Sequence, residues 1–198
     1  MLAYREKVLK KRLAYSTVSQ LSYILFGLAI MDTGSVTGGL LHVLAHGFIK
    51  STLFLCAGAI IYTTGKTRVD ELRGIGKEMP LTMWCYTIVS LGLIGIPPTG
   101  GFVSKWYIGL AAVGEGSVAS CLGFAAILIS ALLTAIYMFQ VVIKAWFPTE
   151  GIRLPSEQDA HEAGGFMTVP MLILAALCLL MGLFPDVLLH AIREAVIL

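Results

Sequence analysis

Six stretches of this chain are so apolar and so poor in charge that water cannot be the solvent for most of what they expose. They are residues 13–31, 39–62, 80–96, 102–113, 118–147 and 167–189. A membrane-crossing helix needs about 20 apolar residues. Five of the stretches approach or exceed that length, and 102–113 falls short of it. Composition closes off the alternative: 57% of the 198 residues are hydrophobic and 13% are charged, with a mean hydropathy of +0.85. A soluble chain of this size leaves too much surface in water to hide such a composition. The predicted fold class is therefore an all-α integral membrane protein, a bundle of about six transmembrane helices.

One of those helices is predicted to be broken at Pro97, Pro98, Thr99, Gly100 and Gly101. Two successive prolines remove two backbone donors, and the glycines that follow hold no fixed geometry. Irregular backbone at membrane depth is tolerated only where protein or water covers it. The organisation read from these boundaries is a basic lead-in over 1–12, a transmembrane bundle over 13–147, a polar loop over 148–166, and a last helix and tail over 167–198. The lead-in carries Arg5, Lys7, Lys10, Lys11 and Arg12 without a signal-peptide cleavage pattern. It reads like a loop between two membrane helices, as though the chain began in mid-protein.

Lysine and arginine in short loops set orientation. The lead-in and the loop over 63–78, with Lys66, Arg68, Arg73 and Lys77, are expected on the cytoplasmic side of a cell membrane. The loop over 148–166 has Arg153 against Glu150, Glu157, Asp159 and Glu162 and is expected outside. Those assignments agree only if 102–113 is a crossing of its own, which is what favours six spans. Tyr62, Trp84 and Trp146 fall near span ends, where aromatic rings favour the interface. Cys56, Cys85, Cys121 and Cys178 lie singly in apolar runs and are expected to pack as small hydrophobes. No arginine-rich or aromatic-interleaved patch points to nucleic acid, and the net charge is only +2.

The chemistry concentrates in the second span. His42, His46 and Lys50 stand at i, i+4 and i+8, on one slowly drifting helix face, about 6 Å apart along the axis. Each ionisable group inside a membrane costs about 2.5–3.5 kcal/mol on insertion scales, so the column must face protein or water. Histidine takes up and releases protons near neutral pH, and a lysine beside two histidines extends them into a relay, with water bridging the wider gaps. The plainer alternative is that these residues only hydrogen-bond neighbouring helices. Lys105 follows the predicted break by four residues and would line a wet cavity there; its alternative is snorkelling to an interface. Lys10 stands at the mouth of the first span, where a positive-inside anchor is the competing reading. Lys144 and Asp32 read as interfacial, and His161 and His190 as loop or end residues. Ser16, Thr17, Ser19, Gln20 and Ser22 crowd one end of the first span as helix–helix partners or as holders of water.

Three motifs occur in order: Lys10 to Gln20 (KKRLAYSTVSQ), Leu41 to Lys50 (LHVLAHGFIK) and Gly95 to Lys105 (GIPPTGGFVSK). Together they closely resemble the antiporter-like subunits of respiratory complex I, of Mrp-type cation/proton antiporters and of membrane-bound hydrogenases. The resemblance runs from about Arg5 to Phe147, and the last span matches only in character. It implies two inverted five-helix repeats, each with a broken helix, and a midplane line of lysines, histidines and a glutamate. Lys10, His42, His46, Lys50 and Lys105 would be the second repeat's share of that line, with Lys105 the lysine at the broken helix. The first repeat and its glutamate have no counterpart here, and no acidic residue lies well inside a span. On that ground the chain is expected to be the C-terminal half of such a subunit.

The expected function is translocation of H⁺, or of Na⁺ with it, across a prokaryotic cytoplasmic membrane. The expected partners are the bilayer and the other membrane subunits of an ion-pumping complex. No cofactor is expected: nothing resembles an iron–sulfur cysteine framework or a nucleotide-binding glycine loop, and any redox reaction would belong to the assembled complex. Two rivals make different demands. Haem ligation through His42 or His46 needs a histidine on a facing helix, and a purely structural, anchoring subunit needs no ionisable line at all.

Overall fold

The computed structural model describes residues 2–147 and 161–197, which form helices and their connections, with an isolated bridge between Val8 and Arg68. In chain order the α-helices are α1 (Leu2–Arg5), α2 (Leu9–Ala29), α3 (Thr33–Thr64), α4 (Ile75–Glu78), α5 (Pro80–Ile94), α6 (Gly100–Glu115), α7 (Val118–Trp146), α8 (Gly165–Leu183) and α9 (Pro185–Ile197). Local chemistry sets their ends. Asp32 caps α3 through its carboxylate, which accepts from the amides of Gly34 at 2.8 Å and Ser35 at 3.3 Å, while the Ser35 hydroxyl receives the Asp32 amide. Gly65 closes the same helix in the left-handed region at φ 69°. Pro80 opens α5, where its missing donor costs nothing. Asp32 is thus a capping residue as well as an end residue.

α3 is the axis of the bundle. Its 32 residues make a rod of about 48 Å at 1.5 Å per residue, and α2, α5, α6, α8 and α9 all pack on it. α3, α7 and α8 are each long and apolar enough to cross a membrane alone; α5 is apolar but short. Toward the C-terminal half of α3 the contacts are hydrocarbon: Leu53, Cys56, Ala57 and Ile60 join Met79, Met83, Tyr86 and Val89 of the α5 segment in one buried cluster. Cys85 and Cys178 belong to that cluster as expected of small hydrophobes, whereas Cys121 is exposed.

The order of contacts along α3 corrects the span count. Thr63 meets Met79 at 3.2 Å, Ile49 lies against both Gly92 and Gly101, His42 bonds Ser104 at 2.8 Å, and Gly38 lies against Ile108. As the chain advances from 79 to 108, its partners on α3 recede steadily from 63 to 38. α5 and α6 are therefore two halves of one interrupted crossing, antiparallel to α3. Residues 102–113 are its second half and not a sixth span. The interruption covers Gly95 to Thr99, and Gly100 and Gly101 already form the first turn of α6. Gly95 is left-handed at φ 93°, a turn that ends α5 and that a side chain would strain.

The last helices repeat the pattern. Glu162 bonds the α5 amides of Leu81 and Thr82, Cys178 touches Gly92, Met181 touches Gly100, and Gly182 lies on the Pro98 carbonyl. Beyond Phe184 the chain continues as α9, whose Leu189 packs with Leu41 and Val103. α8 and α9 thus run alongside α5 and α6 in the same direction and are also interrupted at the middle. The described residues form five crossings: α2, α3, α5–α6, α7 and α8–α9.

Sidedness follows. Leu9 bonds Thr67, Lys144 at the end of α7 pairs with Asp70 at 2.5 Å, and Glu162 sits at the start of α5, so all these ends share one face. Residues 148–160 of the polar loop lie outside the described residues. Both chain segments that flank them, however, stand on the face of the basic 63–78 loop. The expectation that this loop opens to the opposite side falls on residues outside the described ones.

Candidate functional site

The ionisable column sits at the middle of α3, at the level where α5 gives way to α6. α2 contributes its serine- and glutamine-rich face on one side of it, and the first turns of α6 close the other. Lys50 is buried, and its ammonium donates to the Leu13 carbonyl at 2.8 Å and to the Ser16 hydroxyl. One turn earlier lies His46, half-buried, with its ring stacked 6.4 Å from that of His42. His42 is only 2% exposed. Its Nδ1 is 2.8 Å from the Ser104 Oγ of α6 and its Nε2 is 3.1 Å from the Gln20 Oε1 of α2.

Lys105 continues the line from α6. Its Nζ donates to the carbonyls of Leu93 at 2.8 Å and Ile94 at 2.9 Å, two of the acceptors that the end of α5 leaves without an intrahelical donor. A cation is the favoured group at that negative helix end. The ammonium also lies 5.1 Å from the centre of the Tyr23 ring on α2, within range of a cation–π contact. Lys105 therefore turns into the interruption and does not snorkel to an interface. It bridges the two half-helices across the gap.

The glycines of the motif make this approach possible. A Cβ on Gly101 would stand 2.0 Å from the Gly92 carbonyl oxygen, and one on Gly95 would stand 2.9 Å from Lys105 Cδ. Pro97 and Pro98 are exposed at the outer edge of the interruption, with Thr99 buried beneath them, its hydroxyl donating to the Ile96 carbonyl at 2.7 Å.

Among the described residues neither Lys50 nor Lys105 has a carboxylate partner; the ion pair found there, Lys144–Asp70, lies at the membrane-end face. Three buried polar atoms in and around the line have no hydrogen-bond partner among the described residues: His46 Nε2, Gln20 Nε2 and Tyr23 Oη. Unpaired polar atoms in such surroundings cost on the order of 1–3 kcal/mol each. They are the groups to which bridging water would bind.

Lys10 is not brought to this line. It is exposed on the first turn of α2. The buried cation there is Arg12, whose guanidinium donates to the Tyr137 carbonyl at 3.1 Å, Gln140 Oε1 at 2.9 Å and the Glu6 carbonyl at 2.8 Å. Neither Arg12 nor Ser104 is marked as a site residue by the sequence. Arg12 is hidden inside a run of exposed basic residues, and Ser104 carries no charge to mark it. The periodicity of α2 holds the one available signal, since Arg12, Ser16, Gln20 and Tyr23 recur at helical spacing and all face inward.

The family described as "NADH:quinone oxidoreductase/Mrp antiporter, TM" matches residues 1–134. The chain belongs to that family. Among its relatives, NADH-quinone oxidoreductase subunit N of Desulforudis audaxviator (strain MP104C) is 38% identical over 195 residues, which cover 94% of this chain and 38% of the relative. Among solved structures, the Mrp complex from Dietzia sp. DQ12-45-1b contains a chain similar to this one at a TM-score of 0.85 and 26% identity, over 98% of this chain and 43% of that one. Respiratory complex I from Thermus thermophilus with bound NADH contains another, at a TM-score of 0.83 and 26% identity, over 98% of this chain and 40% of that one. This antiporter-family chain therefore spans less than half the length of the relatives it matches. The similarity in three dimensions takes in α8 and α9, beyond the three motifs that carry the resemblance in sequence.

Proposed function

We propose that this antiporter-family chain supplies a proton half-path, Lys50–His46–His42–Lys105, to a membrane subunit of a multisubunit ion-pumping complex. The carrying observation is that two buried lysines and two histidines form one line at the interrupted crossing with no carboxylate among them. Such groups are kept in lipid at high cost, and proton exchange is the chemistry they share. The line favours H⁺ over Na⁺, because a sodium site is built from oxygen ligands and this one presents ammonium and imidazole nitrogen. Among the described residues no member of the line is hydrogen-bonded to the next, and the two imidazole rings are centred 6.4 Å apart, so the proton passes between neighbours through bridging water.

Orientation follows the positive-inside rule applied to the five-span topology. One face carries Arg5, Lys7, Lys10, Lys11, Lys66, Arg68, Arg73, Lys77 and Lys144, whereas the described part of the other carries Asp32, Glu115, Arg193 and Glu194. The basic face, with the N-terminus, is the cytoplasmic one, in a cell membrane. The test is the double substitution His42→Ala/His46→Ala in the intact subunit, reading proton flux in vesicles beside complex assembly. The expected result is a flux lowered by at least about tenfold with normal assembly. Unchanged flux would make the chain an anchoring subunit instead.

A further inference from the structure

The hydroxyl of Ser104 has two acceptors within reach and one hydrogen. Its Oγ is 2.8 Å from His42 Nδ1 and 3.1 Å from the Gly101 carbonyl. Ser104 is fully buried, so no solvent competes for that hydrogen. On the other side of the ring, Gln20 Oε1 lies 3.1 Å from Nε2; an amide oxygen there accepts, which puts the hydrogen of a neutral imidazole on Nε2 and leaves the Nδ1 lone pair toward Ser104. In that state the hydroxyl donates to Nδ1 and Gly101 goes without it. When His42 holds a second proton, Nδ1 becomes a donor, the serine oxygen must accept, and its hydrogen turns to the Gly101 carbonyl.

We propose that Ser104 is a positioning residue that registers the charge of His42 at the first turn of α6. Gly101 is where that turn touches the rest of the interruption: its backbone lies on the Gly92 carbonyl, and one turn later the same half-helix carries Lys105 on the carbonyls of Leu93 and Ile94. Each change at His42 thus alters the hydrogen bonding of the backbone that places Lys105. Gln20 sets the resting tautomer, and no heavy-atom displacement is required to start the change.

This inference rests on the proton path proposed above, and the experiment separates the two. Proton flux and assembly are measured in the intact complex for Ser104→Ala, Ser104→Thr and His42→Ala. Ser104→Ala removes the hydroxyl with little change in volume, and its flux is expected to fall by at least about tenfold, since a hydrogen bond to a charged group is worth a factor of that order. Ser104→Thr keeps the hydroxyl and is expected to stay within about threefold of wild type. Wild-type flux in Ser104→Ala overturns the inference, as does a loss in Ser104→Thr equal to that in Ser104→Ala in normally assembled complex, which would mark a packing role. Should Ser104→Ala fail to assemble, Ser104→Cys, with a weak donor of similar shape, takes its place under the same criteria. Wild-type flux in His42→Ala would overturn the proton path itself; loss there with full flux in Ser104→Ala would overturn only the role of Ser104.

Discussion

Two crossings among the described residues are interrupted side by side at the same depth, and one of the two interruptions is closed by a buried cation. Between α5 and α6 the chain is opened by a left-handed Gly95 and two prolines, and Lys105 spans the opening to reach the Leu93 and Ile94 carbonyls. Between α8 and α9 no buried side-chain charge closes the gap, although Asp186 stands in the first turn of α9. The Phe184 amide returns to the Leu180 carbonyl, Pro185 starts the next helix, and the nearby Asp186 and His190 are exposed. The comparison teaches that an interrupted helix is not in itself a site. What sets the first apart is a buried cation that closes it, placed against a neighbouring column of imidazole and ammonium groups. The second interruption serves the first as packing, through Gly182 on the Pro98 carbonyl and Met181 on Gly100.

The comparison is broken most directly at the charged groups. Lys105→Ala in the intact subunit should reduce proton flux in vesicles to background, whereas Asp186→Ala and His190→Ala should leave it unchanged; equal effects at both interruptions would erase the distinction. Next come the close backbone approaches, which both interruptions share. Gly101→Ala and Gly182→Ala would set a Cβ 2.0 and 2.2 Å from carbonyl oxygens, and each should cost about 3 kcal/mol of stability by thermal denaturation of the complex. Gly58→Ala, with open space around its Cβ, serves as the neutral control.

Away from both interruptions, Arg12→Ala should lower stability by about 2 kcal/mol through the Gln140 Oε1 and the Glu6 carbonyl that lose its guanidinium as donor, while proton flux persists. The smallest effect belongs to the Lys144–Asp70 pair at the membrane-end face. The Lys144 hydrogen bond holds the Asp70 carboxyl below its usual range. A depressed carboxyl stabilises the fold above its unfolded pKa of about 3.9, and that contribution is lost as pH falls through the lower folded value. With half of the Asp70 side chain exposed, solvent screening limits the contribution to about 0.5 kcal/mol. Asp70→Asn should abolish it, as read by denaturation between about pH 5 and pH 2.

The column of His42, His46 and Lys50 was legible because ionisable residues at helical spacing inside an apolar run are too costly to keep in lipid unless they face protein or water. The interruption was legible from two prolines and two glycines. The number of crossings was not, since α5 and α6 are each apolar and only their shared path along α3 shows them to be one span. Lys10 and Arg12 stand two residues apart in one basic run, and which of them faces inward depends on the helical phase of α2, which the charge pattern does not reveal. The roles of Ser104 and Gln20 come from pairings between distant parts of the chain, and such pairings leave no local trace.

The most direct test of the central claim uses Lys50, a member of the line whose own hydrogen bonds run to α2 and not to α5 or α6. Proton flux is compared in vesicles bearing the intact complex with wild-type subunit and with Lys50→Ala, at matched assembly. The account predicts that flux falls by at least about tenfold, because the line loses one of its carriers. Wild-type flux in the Lys50→Ala complex would contradict it.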